Sequence, residues 1–171
     1  MELPLWVDAF EQHGLSKWLR ESRSLVIGYY PILLLHTLGL SLVVGPNAAI
    51  NLRLLGVAGD IPVAPLRRWF SLIWFGLVLN VTSGVLLVYV YPVKSLTNPV
   101  FYIKLALLGF AIWILLRIKT RVFDDSGLNE ADMVARGRML AVWSLLAWMS
   151  VLWAGRLLAY TCHYLLYAVP C

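Results

Sequence analysis

The sequence predicts an all-α integral membrane protein, a four-helix bundle with a short amphipathic N-terminal segment, and three observations carry that expectation. The chain of 171 residues is 61% hydrophobic and 13% charged, with mean hydropathy +0.79; a soluble domain is about half apolar and a quarter charged. Four stretches, at about 25–50, 69–91, 100–116 and 139–160, approach the roughly 20 apolar residues needed to cross a hydrocarbon core. A spanning segment must satisfy its own backbone, which leaves helices as the economical structure. The length suits one membrane domain covering 1–171.

Residues 1–24 precede the spans. Leu3, Trp6, Val7 and Phe10 recur at helical spacing opposite Asp8, Glu11 and Gln12, and Trp18 and Leu19 follow after a break at Gly14. This pattern reads as an amphipathic segment lying in the interface, with a flap over the bundle mouth as the competing reading. Acids at Glu2, Asp8 and Glu11 do not fit a cleavable signal peptide, so the first span is expected to act as its own insertion signal.

In span one, Pro31 suits a helix start, and Tyr29 and Tyr30 suit an interfacial aromatic belt. Pro46 is expected to kink the helix after Gly45, and the helix then continues through Asn47, Asn51 and Arg53 to a cap at Gly56. Residues 59–65 read as a loop. On span two Gly76, Asn80 and Ser83 or Gly84 share a face, as Thr37, Ser41 and Gly45 do on span one. Small and weakly polar residues at this spacing let helices approach and hydrogen-bond, so packing is the expected role; Asn80, near the bilayer middle, is the exception to watch. The acids Asp124, Asp125, Glu130 and Asp132, with Arg136 and Arg138, read as a solvated turn and helix start.

The net charge of +5 does not imply nucleic acid, because the basic residues are spread over loops between apolar runs. Eight of them (Arg53, Arg67, Arg68, Arg117, Lys119, Arg121, Arg136 and Arg138) follow spans one and three, against four (Lys17, Arg20, Arg23 and Lys94) on the other side. The positive-inside rule therefore places both termini outside and the basic loops in the cytoplasm.

Three ionisable residues remain within or beside the spans: His36, Lys104 and Arg156, all basic and without an Asp or Glu in any span. Such residues are costly in a membrane and are functional-site hypotheses by default. Measured from Pro31, Val100 and the outer end of span four, they share a layer roughly 6–8 Å deep by helix rise. The competing readings are a core histidine hydrogen-bonded to a neighbour, and a Lys and an Arg snorkelling to the headgroups. The expected function is an outer-half basic pocket for an anionic cofactor, haem b in the first place, with His36 as axial ligand and Lys104 and Arg156 toward the propionates. Electron transfer is its expected use. His163 and Met149 stand at unsuitable depths for a second ligand, so five-coordinate or externally completed ligation is expected.

A non-catalytic subunit bracing a larger membrane complex or a homo-oligomer is the alternative. Copper handling by Cys162, His163 and Cys171 is the third, since soft ligands favour Cu(I). Cys162 and Cys171 are otherwise two unpaired thiols, or a disulfide if that end meets an oxidising compartment. Phosphate loops, His-x-x-x-His pairs and paired intramembrane carboxylates are absent from the sequence, so no enzyme class is assigned.

The succession Trp18-Leu19-Arg20-Glu21-Ser22, His36-Thr37-Leu38-Gly39, Asn51-Leu52-Arg53-Leu54-Leu55-Gly56, Thr82-Ser83-Gly84, Asn98-Pro99-Val100-Phe101-Tyr102-Ile103-Lys104 and Gly155-Arg156 resembles an uncharacterised family of small bacterial four-span membrane proteins. More distantly it is similar to copper-resistance D-type membrane domains. It is also similar to the small membrane protoporphyrinogen oxidases, which are associated with haem; that likeness rests on His36 and Lys104. The resemblance implies the bacterial inner membrane. Family members have Asp where Asn51 stands, and an Asn and a His inside span three, where this chain reads Leu107-Leu108-Gly109-Phe110-Ala111-Ile112-Trp113. A function requiring a histidine from span three finds none here.

Overall fold

A computed structural model describes residues 13–22, 28–125 and 127–161. The described residues are helical, with no strand. In chain order they form α1 (Gly14–Glu21), α2 (Tyr29–Leu54), a 3-10 turn (Ala64–Arg68), α3 (Trp69–Val90), α4 (Pro92–Leu96), α5 (Pro99–Ile118), a π turn (Lys119–Phe123) and α6 (Glu130–Tyr160). Four segments are long and apolar enough to cross a membrane: Tyr29–Leu54, Ala64–Val90, Pro99–Phe123 and Glu130–Tyr160. Their outward faces carry large exposed apolar side chains such as Phe75, Val78, Val85 and Trp153, which in a multi-pass membrane protein meet lipid.

Local chemistry sets the ends. α2 runs through Pro46 and stops in a Schellman motif: Val57 N–H donates to the Leu52 carbonyl and Gly56 N–H to that of Arg53, both at 3.0 Å. Gly56, at φ 96°, supplies the left-handed conformation that this motif requires. α5 opens with Asn98 as N-cap, its carboxamide oxygen accepting from Val100 N–H at 2.9 Å and Pro99 following at the first position. The other side of the same carboxamide donates to the Thr161 carbonyl at 2.9 Å, tying the start of α5 to the end of α6.

α6 begins at Glu130 rather than near 139, because Asn129 caps it by accepting from Asp132 N–H at 2.9 Å and two acids occupy its first turn. The third span also runs longer than the expected 100–116, since Ile118, Val122 and Phe123 are buried. α1 lies against the end of α3, where Ser16 Oγ is within hydrogen-bond distance of the Tyr89 and Val90 carbonyls, 3.1 and 3.2 Å. These are carbonyls that the helix terminus cannot satisfy itself. Gly14 opens this helix. Leu3, Trp6, Val7 and Phe10 lie outside the described residues.

α2 packs chiefly on α3, α5 on α6, and α2 on α6. The α2–α3 crossing is the tightest. A Cβ on Gly39 would stand 2.6 Å from the Asn80 backbone nitrogen, and one on Gly76 would stand 2.9 Å from the Gly39 carbonyl oxygen. Both helices therefore meet backbone to backbone. The apolar core runs from this crossing through Val43, Ile50, Ile73, Ile114, Leu115 and Val151. At its far end Phe70 meets Phe123 edge to face at 5.2 Å.

That far end carries the loops richest in basic residues, held by ion pairs. Arg53, buried, reaches Glu130 at 2.6 Å, Gly59 O at 3.0 Å and the Ile61 carbonyl, fixing the loop after α2. Asp124 bridges Lys119 (2.9 Å) and Arg67 (3.0 Å), and Asp125 pairs with Arg136 (3.1 Å). The acids that read as a solvated turn and helix start do include the start of α6, but three of them also stitch the loops together. The hydrogen bond from Lys119, with the charges of Lys119 and Arg67, holds the Asp124 carboxyl below its usual range despite a smaller opposing effect of burial.

Gly39→Ala should destabilise the bundle by about 2 kcal/mol through overpacking. Gly45→Ala, with open space around its Cβ, should leave the midpoint unchanged or slightly raised; thermal unfolding in lipid nanodiscs compares the two. Because the folded-state pKa of Asp124 is depressed, its contribution is present above the ordinary carboxyl value of 3.8 and is lost as pH falls through the lower folded value. Asp124→Asn should therefore lower the midpoint at pH 7 and shrink its decline below about pH 4.

Candidate functional site

His36 stands two turns into α2, a turn before the Gly39 contact, so the close crossing carries its ring onto α3. Its Nδ1 lies 2.9 Å from the Asn80 carbonyl oxygen and 3.2 Å from Ser83 Oγ. The carbonyl oxygen carries no proton, so the shorter contact needs Nδ1–H as its donor. The Ser83 hydroxyl has its own acceptor in the Leu79 carbonyl at 2.6 Å. In return Asn80 Nδ2 donates to the His36 carbonyl at 2.8 Å, which is far better placed than its 3.4 Å approach to Nδ1. Each helix thus gives one side-chain donor to the other's backbone.

Gly84 completes this seat, since a Cβ there would lie 3.1 Å from the ring's Cε1. With Nδ1 protonated, Nε2 is the nitrogen that carries the lone pair when the ring is neutral. Among the described residues it has no partner.

Lys104 enters from the first turns of α5. Its Cε and Nζ lie 3.9 Å from where a Cβ on Gly155 of α6 would stand, and its ammonium is within electrostatic reach of His36. The side chain is half-buried and, among the described residues, has neither a hydrogen bond nor an ion pair. Arg156 is one residue past Gly155 and so at the same level, but it is exposed on α6 and has no partner among the described residues. The layer expected from depth therefore consists of two inward groups, His36 and Lys104, and one outward group. Exposure at this level suits a guanidinium reaching the headgroups.

The competing reading of His36, a ring hydrogen-bonded to a neighbouring backbone or hydroxyl, describes one of its two nitrogens. Ser83 and Gly84 read from the sequence as packing residues and Asn80 as the exception to watch; all three pack here, and they also seat the imidazole. The four-residue spacing of Asn80 and Gly84 was the available signal, but only the register of α2 on α3 shows which residue they receive. Met149 is exposed on α6. Cys162, His163 and Cys171 lie outside the described residues. Among the described residues no group of three His, Cys, Asp or Glu could hold a metal by itself.

A cleft of about 490 Å³ opens at the other end of the bundle, lined by Leu52, Val57, Ile61, Pro65, Leu66 and Trp69 among others. It contains none of His36, Lys104 and Arg156, and Arg53 and Arg68 lie among its lining residues. Nothing there matches the chemistry at His36. Compared with protein-family models, curated proteins and solved structures, the chain has no match.

Proposed function

We propose that the chain is a bacterial inner-membrane protein whose His36–Lys104 layer binds an anionic cofactor, haem b in the first place, with electron transfer as its use. The observation that carries this reading is the state of His36. Metal-ligating histidines commonly donate their other ring N–H to a carbonyl, which fixes the tautomer and turns a lone pair toward the metal. His36 donates through Nδ1 to Asn80 and keeps Nε2 free among the described residues.

Lys104 supports the same reading. A half-buried ammonium with no counterion among the described residues calls for an anion, and haem supplies two carboxylates. His36 would hold the iron by Nε2 and Lys104 would draw a propionate. Arg156, exposed, would contribute from the headgroup side. The bound iron would supply one-electron chemistry, while this chain's own residues orient the ring through Asn80 and Ser83 and keep Nδ1 protonated. With the basic loops at the opposite end, the positive-inside rule puts the His36 end and both termini on the periplasmic side.

Purified protein should show a Soret absorption band that is lost in His36→Ala and weakened in Lys104→Gln, with haem retention falling at least tenfold in the first case. Absence of the band, or a band unchanged in His36→Ala, contradicts the reading. Stoichiometric co-purification of other membrane subunits without any chromophore would favour a bracing subunit instead.

A further inference from the structure

A second group of buried polar side chains lies between α2 and α6. Asn47 and Asn51 stand a turn apart on α2, Ser144 and Trp148 a turn apart on α6, and none exceeds 2% exposure. Both asparagines donate through Nδ2 to one acceptor, Ser144 Oγ, at 3.2 and 2.8 Å. Three buried atoms of these residues have no hydrogen-bond partner among the described residues: Asn47 Oδ1, Asn51 Oδ1 and Trp148 Nε1.

Turning a carboxamide over does not remove the deficit. With Asn51 reversed, its oxygen would accept from the Ser144 hydroxyl, and its NH2 would become the stranded group instead. Orphaned polar atoms inside a bundle are costly, and lipid offers them nothing. Three on neighbouring turns of α2 and α6 call for a small occupant that bonds them.

The cluster defines that occupant by its donors and acceptors. Two carboxamide oxygens need donors, and the indole N–H needs an acceptor. An anion would face two carbonyl oxygens. A cation would face the indole N–H and a Ser144 oxygen whose lone pairs already receive two N–H groups. Water supplies two donors and two acceptors without charge, and a buried water typically makes about three hydrogen bonds. We propose that the Asn47–Asn51–Ser144–Trp148 cluster is a closed site for one water molecule, which donates to both Oδ1 atoms and accepts from Trp148 Nε1. The water joins α2 to α6 beside Pro46, which has no N–H to return to the Leu42 carbonyl and so weakens α2 there.

A structure of the full chain in lipid, at a resolution that shows ordered solvent, should contain one density peak within about 3 Å of Asn47 Oδ1, Asn51 Oδ1 and Trp148 Nε1. An empty site, or side chains rearranged into direct contact, would overturn the proposal. Raman difference spectra of wild type minus Trp148→Phe give a second readout: a hydrogen-bonded indole is expected, and a free indole N–H overturns it. The solvent map needs no variant, so the test survives if Trp148→Phe does not fold. Replacing sodium by potassium or choline should leave the unfolding midpoint unchanged; a midpoint that follows the cation would assign the site to a metal ion and sink the water.

Discussion

The contact between Gly39 and Gly76 is the constraint on which the His36 end depends. Lipid tails are as apolar as leucine, so the hydrophobic effect gives two membrane helices little reason to associate. Close backbone packing and interhelical hydrogen bonds must do it. With no Cβ at either position, α2 and α3 approach until the Gly39 position nearly touches the Asn80 backbone. At that separation His36 reaches the Asn80 carbonyl and Asn80 reaches the His36 carbonyl. A wider crossing would break both bonds together and release the imidazole. The geometry of the candidate site is therefore a consequence of helix packing two residues' worth of side chain away from zero.

The bundle separates its polar groups into layers. His36 and Lys104 occupy one, the asparagine–serine–tryptophan cluster a second, and the Arg53–Glu130 pair with the Asp124 bridges a third. Along α2 the first two are eleven residues apart, roughly 16 Å by helix rise, and buried Val43 lies between them. The third layer has a mechanical role. Arg53 is fixed by three acceptors, and Asp124 joins the π turn to the segment that opens span two, so the loops are held where the helices emerge.

Much of the architecture was legible in the sequence because hydrophobicity and length dominate in a membrane. Four spans, the Gly56 cap, continuation past Pro46 and the packing of Gly76 all follow from residue type and spacing. Boundaries beyond the hydrocarbon were less legible. The start of α6 at Glu130 depends on the Asn129 cap, and the end of span three depends on burial of Val122 and Phe123, neither of which hydropathy weighs. Within the site, helix rise alone was enough to put His36, Lys104 and Arg156 in one expected layer. Rotation about the helix axis could not be read the same way: the all-round apolar faces of α5 and α6 hide which side is inward, so the inward Lys104 and the exposed Arg156 looked alike. The partners of His36 were hidden for a related reason, since a cross-helix bond needs the relative register of two spans.

The claim at the centre of this account is that the helix crossing fixes the His36 ring with its proton on Nδ1 and its Nε2 lone pair free. Nitrogen-15 NMR of selectively histidine-labelled protein in nanodiscs, assigned with a His36→Gln variant, tests it most directly. The account predicts a neutral His36 with protonated Nδ1 and an unprotonated Nε2, which shifts when a ligand occupies it. A His36 protonated at Nε2, with Nδ1 as acceptor, would contradict it.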